Sequence, residues 1–87
     1  MNYEKQLKKF LIKSLKNRLG SIVDYIVTED DIIVVWFSKT LQNAKGLFYI
    51  PVISPNNYYE VTYNGDKDVS YVDAYAKILN DEVVLDD

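Results

Sequence analysis

The stretch Ile32-Ile33-Val34-Val35-Trp36-Phe37 decides the fold of this 87-residue chain. All six residues are apolar and are either β-branched or aromatic, which favours a strand over a helix. An apolar run without alternation is typical of a strand that is covered on both faces. We therefore predict a strand at residues 32–38 and place it at the centre of a sheet.

The composition is that of one small folded domain, and it narrows the chemistry. Hydrophobic residues make up 48% of the chain and charged residues 26%, as in ordinary globular proteins. There is no cysteine and no histidine, so thiolate chemistry and the commonest general base are excluded. The N-terminal residues do not resemble a signal peptide and no apolar stretch is long enough to span a bilayer, so we expect a cytoplasmic protein.

Charge is distributed unevenly along the chain, whose net charge is −3. Residues 1–18 carry six cations and one acid, a charge of +5, whereas residues 19–87 carry four cations and twelve acids, a charge of −8. This asymmetry is typical either of a nucleic-acid-binding segment or of a helix with lysines on its solvent face. We favour the second interpretation and keep the first as the alternative.

Residues 3–18 have the spacing of an amphipathic helix. One face, with apolar residues at intervals of three and four, consists of Tyr3, Leu7, Phe10, Leu11, Ser14 and Leu15. At 100° per residue the opposite face holds Lys5, Lys9, Lys13 and Lys16. Gly20 is a natural residue for the helix to end at.

Residues 22–28 are predicted as a strand that forms a β-hairpin with the central run, with residues 29–31 as the turn. The loop length decides which side chains of the run share a face with the strand before it. A loop of two or four residues selects Ile32, Val34 and Trp36, and a loop of three selects Ile33, Val35 and Phe37. The sequence leaves this choice open.

Two further strands are predicted at residues 47–53 and 58–63. Pro51 has no N–H to give to a strand ladder, so it suits a strand end or an edge. The second strand alternates, with Tyr59 on one face and Tyr58 on the other, as in a half-buried strand.

Residues 69–80 are predicted as a helix because Val72, Tyr75, Ala76 and Leu79 recur at helical spacing. The alternative is that Asn64-Gly65 turns a hairpin, which makes residues 67–72 a strand. We favour the helix, and expect the acidic tail after it to fray.

Together these elements predict a single α+β domain of order α-β-β-β-β-α. Its four-stranded antiparallel sheet carries both helices on one face.

Three separated segments carry a resemblance to known proteins: Val35–Leu47 (VWFSKTLQNAKGL), Tyr58–Asp68 (YYEVTYNGDKD) and Tyr71–Tyr75 (YVDAY). They resemble a family of small proteins of unknown function from phages and prophages of Gram-positive bacteria. The resemblance covers about the last two-thirds of the chain and implies a phage-encoded protein that acts in the cytoplasm. It implies no catalytic or binding residue. Ala44 stands where many relatives have tryptophan.

No catalytic, cofactor-binding or metal-binding residue is predicted. The carboxylate run at residues 29–31 lacks the spacing and the glycine of a calcium loop. An EF-hand loop that begins at Asn64 would need a glutamate at its twelfth position, where Tyr75 stands. A nucleophilic serine or threonine would have no histidine as its base. We therefore expect a protein that is not an enzyme and uses no cofactor.

An interaction surface is predicted on the sheet, because two short helices can cover only one of its faces. The other face would expose one apolar trio of the central run, and such a patch is typical of a protein interface. The candidate residues are Trp36, Ile32, Val34 and Tyr58. We expect a protein partner, from host or phage, or self-association as a homo-oligomer. The alternative is nucleic-acid binding through Lys5, Lys9, Lys13 and Lys16.

Overall fold

Two helices and a 3₁₀ turn precede four strands in the computed structural model, which describes residues 2–85. The elements are α1 (Tyr3–Leu19), α2 (Val23–Ile26), the 3₁₀ turn (Glu29–Asp31), β1 (Ile33–Thr40), β2 (Asn43–Tyr49), β3 (Asn57–Asn64) and β4 (Val69–Ala76). The strands form one antiparallel sheet in the order β1-β2-β3-β4. The apolar run lies in β1, which is an edge strand with exposed side chains, so its predicted place at the centre of the sheet, covered on both faces, is wrong. The predicted α+β class, with a single domain and a four-stranded antiparallel sheet, is confirmed.

Helix α1 forms where the apolar spacing predicts it. The Asn2 side chain caps it by accepting a hydrogen bond from the Lys5 N–H at 3.0 Å, and Gly20, with φ 87°, ends it. Leu7, Leu11 and Leu15 are buried against one face of the sheet, whose core residues include Phe48, Tyr59 and Val61. This layer of helix on sheet is the hydrophobic core.

The predicted strand at residues 22–28 is wrong. After Gly20 the chain turns into the short helix α2 and runs back along α1, where Lys16 Nζ lies 2.7 Å from Asp24 Oδ2. Val23 and Val27 are buried, four residues apart. That spacing suits one helical turn as well as a strand face, so the alternation was ambiguous. Tyr25, between them, is 87% exposed.

The predicted helix at residues 69–80 is also wrong. The alternative, a hairpin that turns at Asn64-Gly65, is correct, but its second strand spans Val69–Ala76 and not residues 67–72. β4 pairs with β3 over eight residues, from Asn57↔Ala76 to Asn64↔Val69. The Asn64 side chain accepts hydrogen bonds from the Asp66 and Lys67 N–H groups and so stabilises the turn. β3 has apolar side chains on its inner face, and its backbone needs a paired strand on each side. Pairing with β3 outweighs the weak helix propensity of residues 69–76.

The order of elements is therefore corrected to two helices followed by four strands. α1 packs on the sheet and α2 packs on α1, so one helix rather than two covers the sheet face. The predicted strand at 47–53 lies four residues earlier, at Asn43–Tyr49. Pro51 begins a turn, in which the Ile53 N–H donates to the Ile50 carbonyl at 3.0 Å.

Residues 77–85 follow β4 without helix or strand. The apolar residues of this segment are exposed; they are Ile78, Leu79, Val83, Val84 and Leu85. The last two acids of the predicted tail, Asp86 and Asp87, lie outside the described residues. Across residues 2–85, no helix has the length and apolarity needed to cross a membrane.

Candidate functional site: the outer face of the sheet

A β-bulge in the edge strand β1 settles which side chains of the apolar run face inward. The register with β2 shifts between Val34, which pairs with Phe48, and Trp36, which pairs with Leu47. The extra residue, Val35, reverses the alternation from that point on. Both predicted trios are therefore wrong, because each assumes an unbroken strand.

The side chains of the run are divided by this bulge into two mixed sets. Ile32, Val34 and Phe37 belong to or pack against the core. Ile33, Val35 and Trp36 are exposed, at 50%, 48% and 41%. Of the predicted interaction residues, Ile32 and Val34 are thus core residues and only Trp36 of this run is accessible.

The sheet face opposite α1, which we call the outer face, has no helix on it. In an antiparallel ladder, paired residues carry their side chains on the same face. Following the pairs across the strands gives one continuous row of Ile33, Tyr49, Tyr58 and Tyr75. The next row begins with Trp36 and Leu47 and continues with two acids, Glu60 and Asp73.

We define the outer patch as the apolar and aromatic residues of these two rows. They are Ile33, Trp36, Leu47, Tyr49, Tyr58 and Tyr75. The rings of Tyr49 and Tyr58 lie 5.6 Å apart between centroids, so the middle of the patch is a packed aromatic pair. Tyr75 at one side is 52% exposed. An apolar surface that spans four strands and has acids at its border is the chemistry of a protein interface.

The other end of the outer face is polar on β1, β2 and β3. Its rows contain Ser38, Lys45 and Thr62, and then Thr40, Asn43 and Asn64, and they end on β4 with Tyr71 and Val69. Lys45 Nζ lies 3.5 Å from Glu60 Oε1, which neutralises one of the two acids beside the patch. Asp73 has no ion-pair partner among residues 2–85. The border of the patch is therefore mildly acidic.

Of the predicted interaction residues, Trp36 and Tyr58 lie on the outer face, Trp36 exposed and Tyr58 half-buried. The other residues of the outer patch, Ile33, Leu47, Tyr49 and Tyr75, were not among the predicted candidates. Tyr75 was missed because its segment was assigned to a helix. The signals that could have found it are the Asn64-Gly65 turn and the alternation in β4 that follows, with aromatic or acidic residues at odd positions. Ile33 was ambiguous because the sequence did not decide which alternate residues of the apolar run share a face.

The lysine face of α1 is partly neutralised by the segment that runs back along the helix. Lys16 pairs with Asp24 at 2.7 Å, and Lys5 Nζ lies 4.0 Å from Glu29 Oε2. Lys9 and Lys13 are exposed and, within the described chain, make no ion pair. The nucleic-acid alternative thus retains two of its four residues unpaired and stays a prediction.

A polar cluster joins the two hairpin ends of the sheet. The Gln42 side chain donates to Asp66, and the Gly65 N–H donates to Asn43 Oδ1 at 3.1 Å. The Tyr63 hydroxyl donates to Asp68 Oδ1 at 2.8 Å. That hydrogen bond to a carboxylate, with smaller effects of desolvation and charge, raises the pKa of Tyr63. These contacts tie the hairpins together and offer no reactive group.

Replacing Asp68 with asparagine is expected to lower the pKa of Tyr63 towards its ordinary value. Asp68 has φ 52°, and asparagine tolerates this conformation, so the turn is preserved. Because the pKa of Tyr63 is raised in the folded state, the unfolded chain loses this proton first. Stability is therefore expected to fall as the pH rises above about 10, the ordinary tyrosine pKa.

This expectation is checked by titrating phenolate absorbance, with Tyr63→Phe subtracted to isolate one tyrosine of eight. Unfolding curves measured above and below that pH complete the test. An unchanged Tyr63 titration in Asp68→Asn would contradict the assigned hydrogen bond.

Among residues 2–85 no group of three or more acidic side chains is placed to hold a metal ion. Within the same residues, the outer face brings together no ion pair other than Lys45 and Glu60.

Comparison with known proteins gives one match. The model of a family described as a family of unknown function, DUF6275, matches residues 4–85. The match includes helix α1, and so extends further towards the N-terminus than the three segments noted above. No curated protein and no solved structure matches the chain.

Proposed function

The chain belongs to the DUF6275 family, and from that premise we propose that it is a binding protein, not an enzyme, that uses the outer patch to hold another protein. The observation that carries the proposal is the outer patch, whose first row places three tyrosines and an isoleucine across all four strands with no helix over it. The composition supports the non-enzymatic part, because the chain lacks histidine and cysteine.

The size of the face indicates what kind of complex it forms. Four strands at about 4.8 Å spacing and eight residues at about 3.4 Å rise give a face of roughly 500 Å². Specific stable interfaces bury about 800 Å² on each partner, so this face matches the small, transient class. Its aromatic content concentrates the binding energy, since tyrosine and tryptophan dominate interface hot spots.

The charges at the border define the partner's chemistry. Glu60 is paired with Lys45, whereas Asp73 lies next to Glu60 in the row and is free to accept a partner's cation. We propose a partner surface with apolar side chains at its centre and lysine or arginine at its edge.

The place of action rests on the sequence resemblance alone. On that ground we propose an accessory protein of a phage or prophage that acts in the cytoplasm of its bacterial host, on a host or phage protein.

The experiment is affinity purification of the tagged chain from host cells, followed by a direct binding measurement with each captured protein. The double variant Trp36→Ala, Tyr58→Ala is expected to weaken binding by about 30-fold or more, because removing hot-spot residues costs about 2 kcal/mol or more. Tyr25→Ala is the matched control. Tyr25 is 87% exposed on α2, away from the sheet, and its loss is expected to leave the affinity unchanged.

Two results would contradict the proposal. One is a partner that binds the Trp36→Ala, Tyr58→Ala variant as tightly as the wild type. The other is equal loss of affinity with Tyr25→Ala, which would move the interface to the helical side.

A further inference from the structure

The two edges of the sheet are protected to very different degrees. β1 carries a bulge and Lys39, and both features discourage a second strand from pairing with an edge. β4 pairs with β3 over eight residues without a register shift. It contains no proline, lysine or arginine, and its one charge is Asp73. An edge of this length and composition is a template for another strand.

The hydrogen bonds of β4 show which of its backbone groups are free. The Lys77 N–H, just beyond the strand, donates to the Asn56 carbonyl at 2.6 Å. Because hydrogen-bonding direction alternates along a strand, odd-numbered residues of β4 face β3. The N–H and C=O groups of Ser70, Val72 and Ala74 therefore point to the open edge.

We propose that β4 pairs with β4 of a second copy of this chain, antiparallel and about a two-fold axis at Val72, to give one eight-stranded sheet. Val72 then lies opposite Val72 of the partner subunit, and Ser70 lies opposite Ala74 of the partner subunit. These pairs use the free backbone groups of both chains and form about six interchain hydrogen bonds. A strand that meets its own copy about a two-fold axis is self-complementary, as closed dimers require.

The side chains favour this register over the one with its axis at Asp73. With the axis at Val72, Tyr71 lies opposite Asp73 of the partner subunit, and Val69 lies opposite Tyr75 of the partner subunit. An axis at Asp73 would instead place two carboxylates directly opposite each other, which is unfavourable. Tyr71 is 61% exposed in the single chain, so it has surface to bury on pairing.

The inner face of β4 also leaves room for a second chain. Its side chains there are Ser70, Val72, Ala74 and Ala76, small except for Val72. A shallow groove between α1 and β4, lined by Ser14 and Asn17 among others, runs beside this edge. The helix of the second copy would lie on the same side of the extended sheet, next to this groove.

The β4 edge and the outer patch are tested by different variants. Trp36 and Tyr58 lie on β1 and β3, so their replacement is expected to leave the dimer intact. Failure of dimer formation therefore leaves the partner-binding proposal standing, and the reverse also holds.

Sedimentation velocity over a range of concentrations tests the proposal with the full chain. The wild type is expected to shift with concentration from the 10.1 kDa monomer to twice that mass. Ala74→Pro is expected to be monomeric, because proline removes an N–H that only the second copy uses and is tolerated on an open strand edge. Circular dichroism verifies that the variant is folded.

A charge swap tests the register and does not depend on proline being tolerated. Tyr71→Glu is expected to weaken dimerisation about tenfold, since it places an acid opposite Asp73 of the partner subunit at two symmetry-related positions. Adding Asp73→Lys to the same chain is expected to restore the dimer through two opposite-charge pairs. A wild type that stays monomeric at every concentration would overturn the proposal. So would a dimer that persists unchanged in Tyr71→Glu, or one that is lost with Trp36→Ala, Tyr58→Ala.

Discussion

Replacing Leu11 with alanine is expected to lower the free energy of unfolding by about 2–5 kcal/mol. Leu11 is fully buried at the middle of α1 and belongs to the core between helix and sheet. Its truncation removes apolar contacts and leaves a cavity that a single helix layer has few neighbours to fill. Since domains of this kind are stable by about 5–15 kcal/mol, the loss is large enough to unfold a marginal protein.

Leu79→Ala is the matched control, because it makes the same chemical change at a residue that is 74% exposed. We expect a change within about 0.5 kcal/mol, measured by urea unfolding alongside Leu11→Ala. Comparing the two variants also distinguishes the observed structure from the helix that the sequence predicted at residues 69–80. In that helix Leu79 would face the core, so a loss comparable with that of Leu11→Ala would favour the helix.

Gly46→Ala is expected to destabilise the fold by about 1–3 kcal/mol, because the new methyl group overpacks the core. A Cβ atom at Gly46 would lie 2.7 Å from Cζ of Phe48 and 3.3 Å from Cδ1 of Leu7. Both neighbours are fully buried, so neither can move aside without disturbing others. The usual gain from replacing glycine in a strand is smaller than this cost.

A double-mutant cycle with Phe48→Leu identifies the cause. Leucine lacks the two ring atoms of Phe48 that the new methyl group would meet, so Gly46→Ala is expected to cost less in that background. Thermal or urea unfolding of the four proteins gives the coupling energy. Additive effects would show that the overpacking arises elsewhere.

Helix α1 could be predicted from the sequence because its evidence is local and redundant. Leu7, Leu11 and Leu15 recur at one helical face, lysines occupy the other, and Gly20 follows. Every one of these signals depends on residues within a few positions of each other. No tertiary contact was needed to identify it.

The two wrong elements have a common cause. Residues 22–28 and 69–76 each carry spacings that fit both a strand and a helix, and short segments of this kind have no local signal that decides. The deciding factor is which segment completes the ladder beside β3. Because β4 does so, the predicted number of four strands is correct. The predicted strand at residues 22–28 does not exist, however, and the strand at residues 69–76 was missed.

The outer patch was only partly accessible to sequence reasoning for a similar reason. That one sheet face would be left open follows from chain length and composition. Which residues are on that face depends on the bulge at Val35, and a bulge is a feature of two paired strands. Tyr49 and Ile33 meet only through that pairing.

The apolar run from Ile32 to Phe37 thus indicated a strand, and the periodicity of residues 3–18 indicated the amphipathic helix that covers one side of the sheet. Hydrophobic periodicity and composition are properties of the chain, and they suffice for this much. Only the tertiary structure decided that β4 rather than residues 22–28 is the fourth strand, and that Trp36 faces outward while Phe37 faces inward. Strand pairing joins residues that are distant in sequence, so their register has no local signal in the chain.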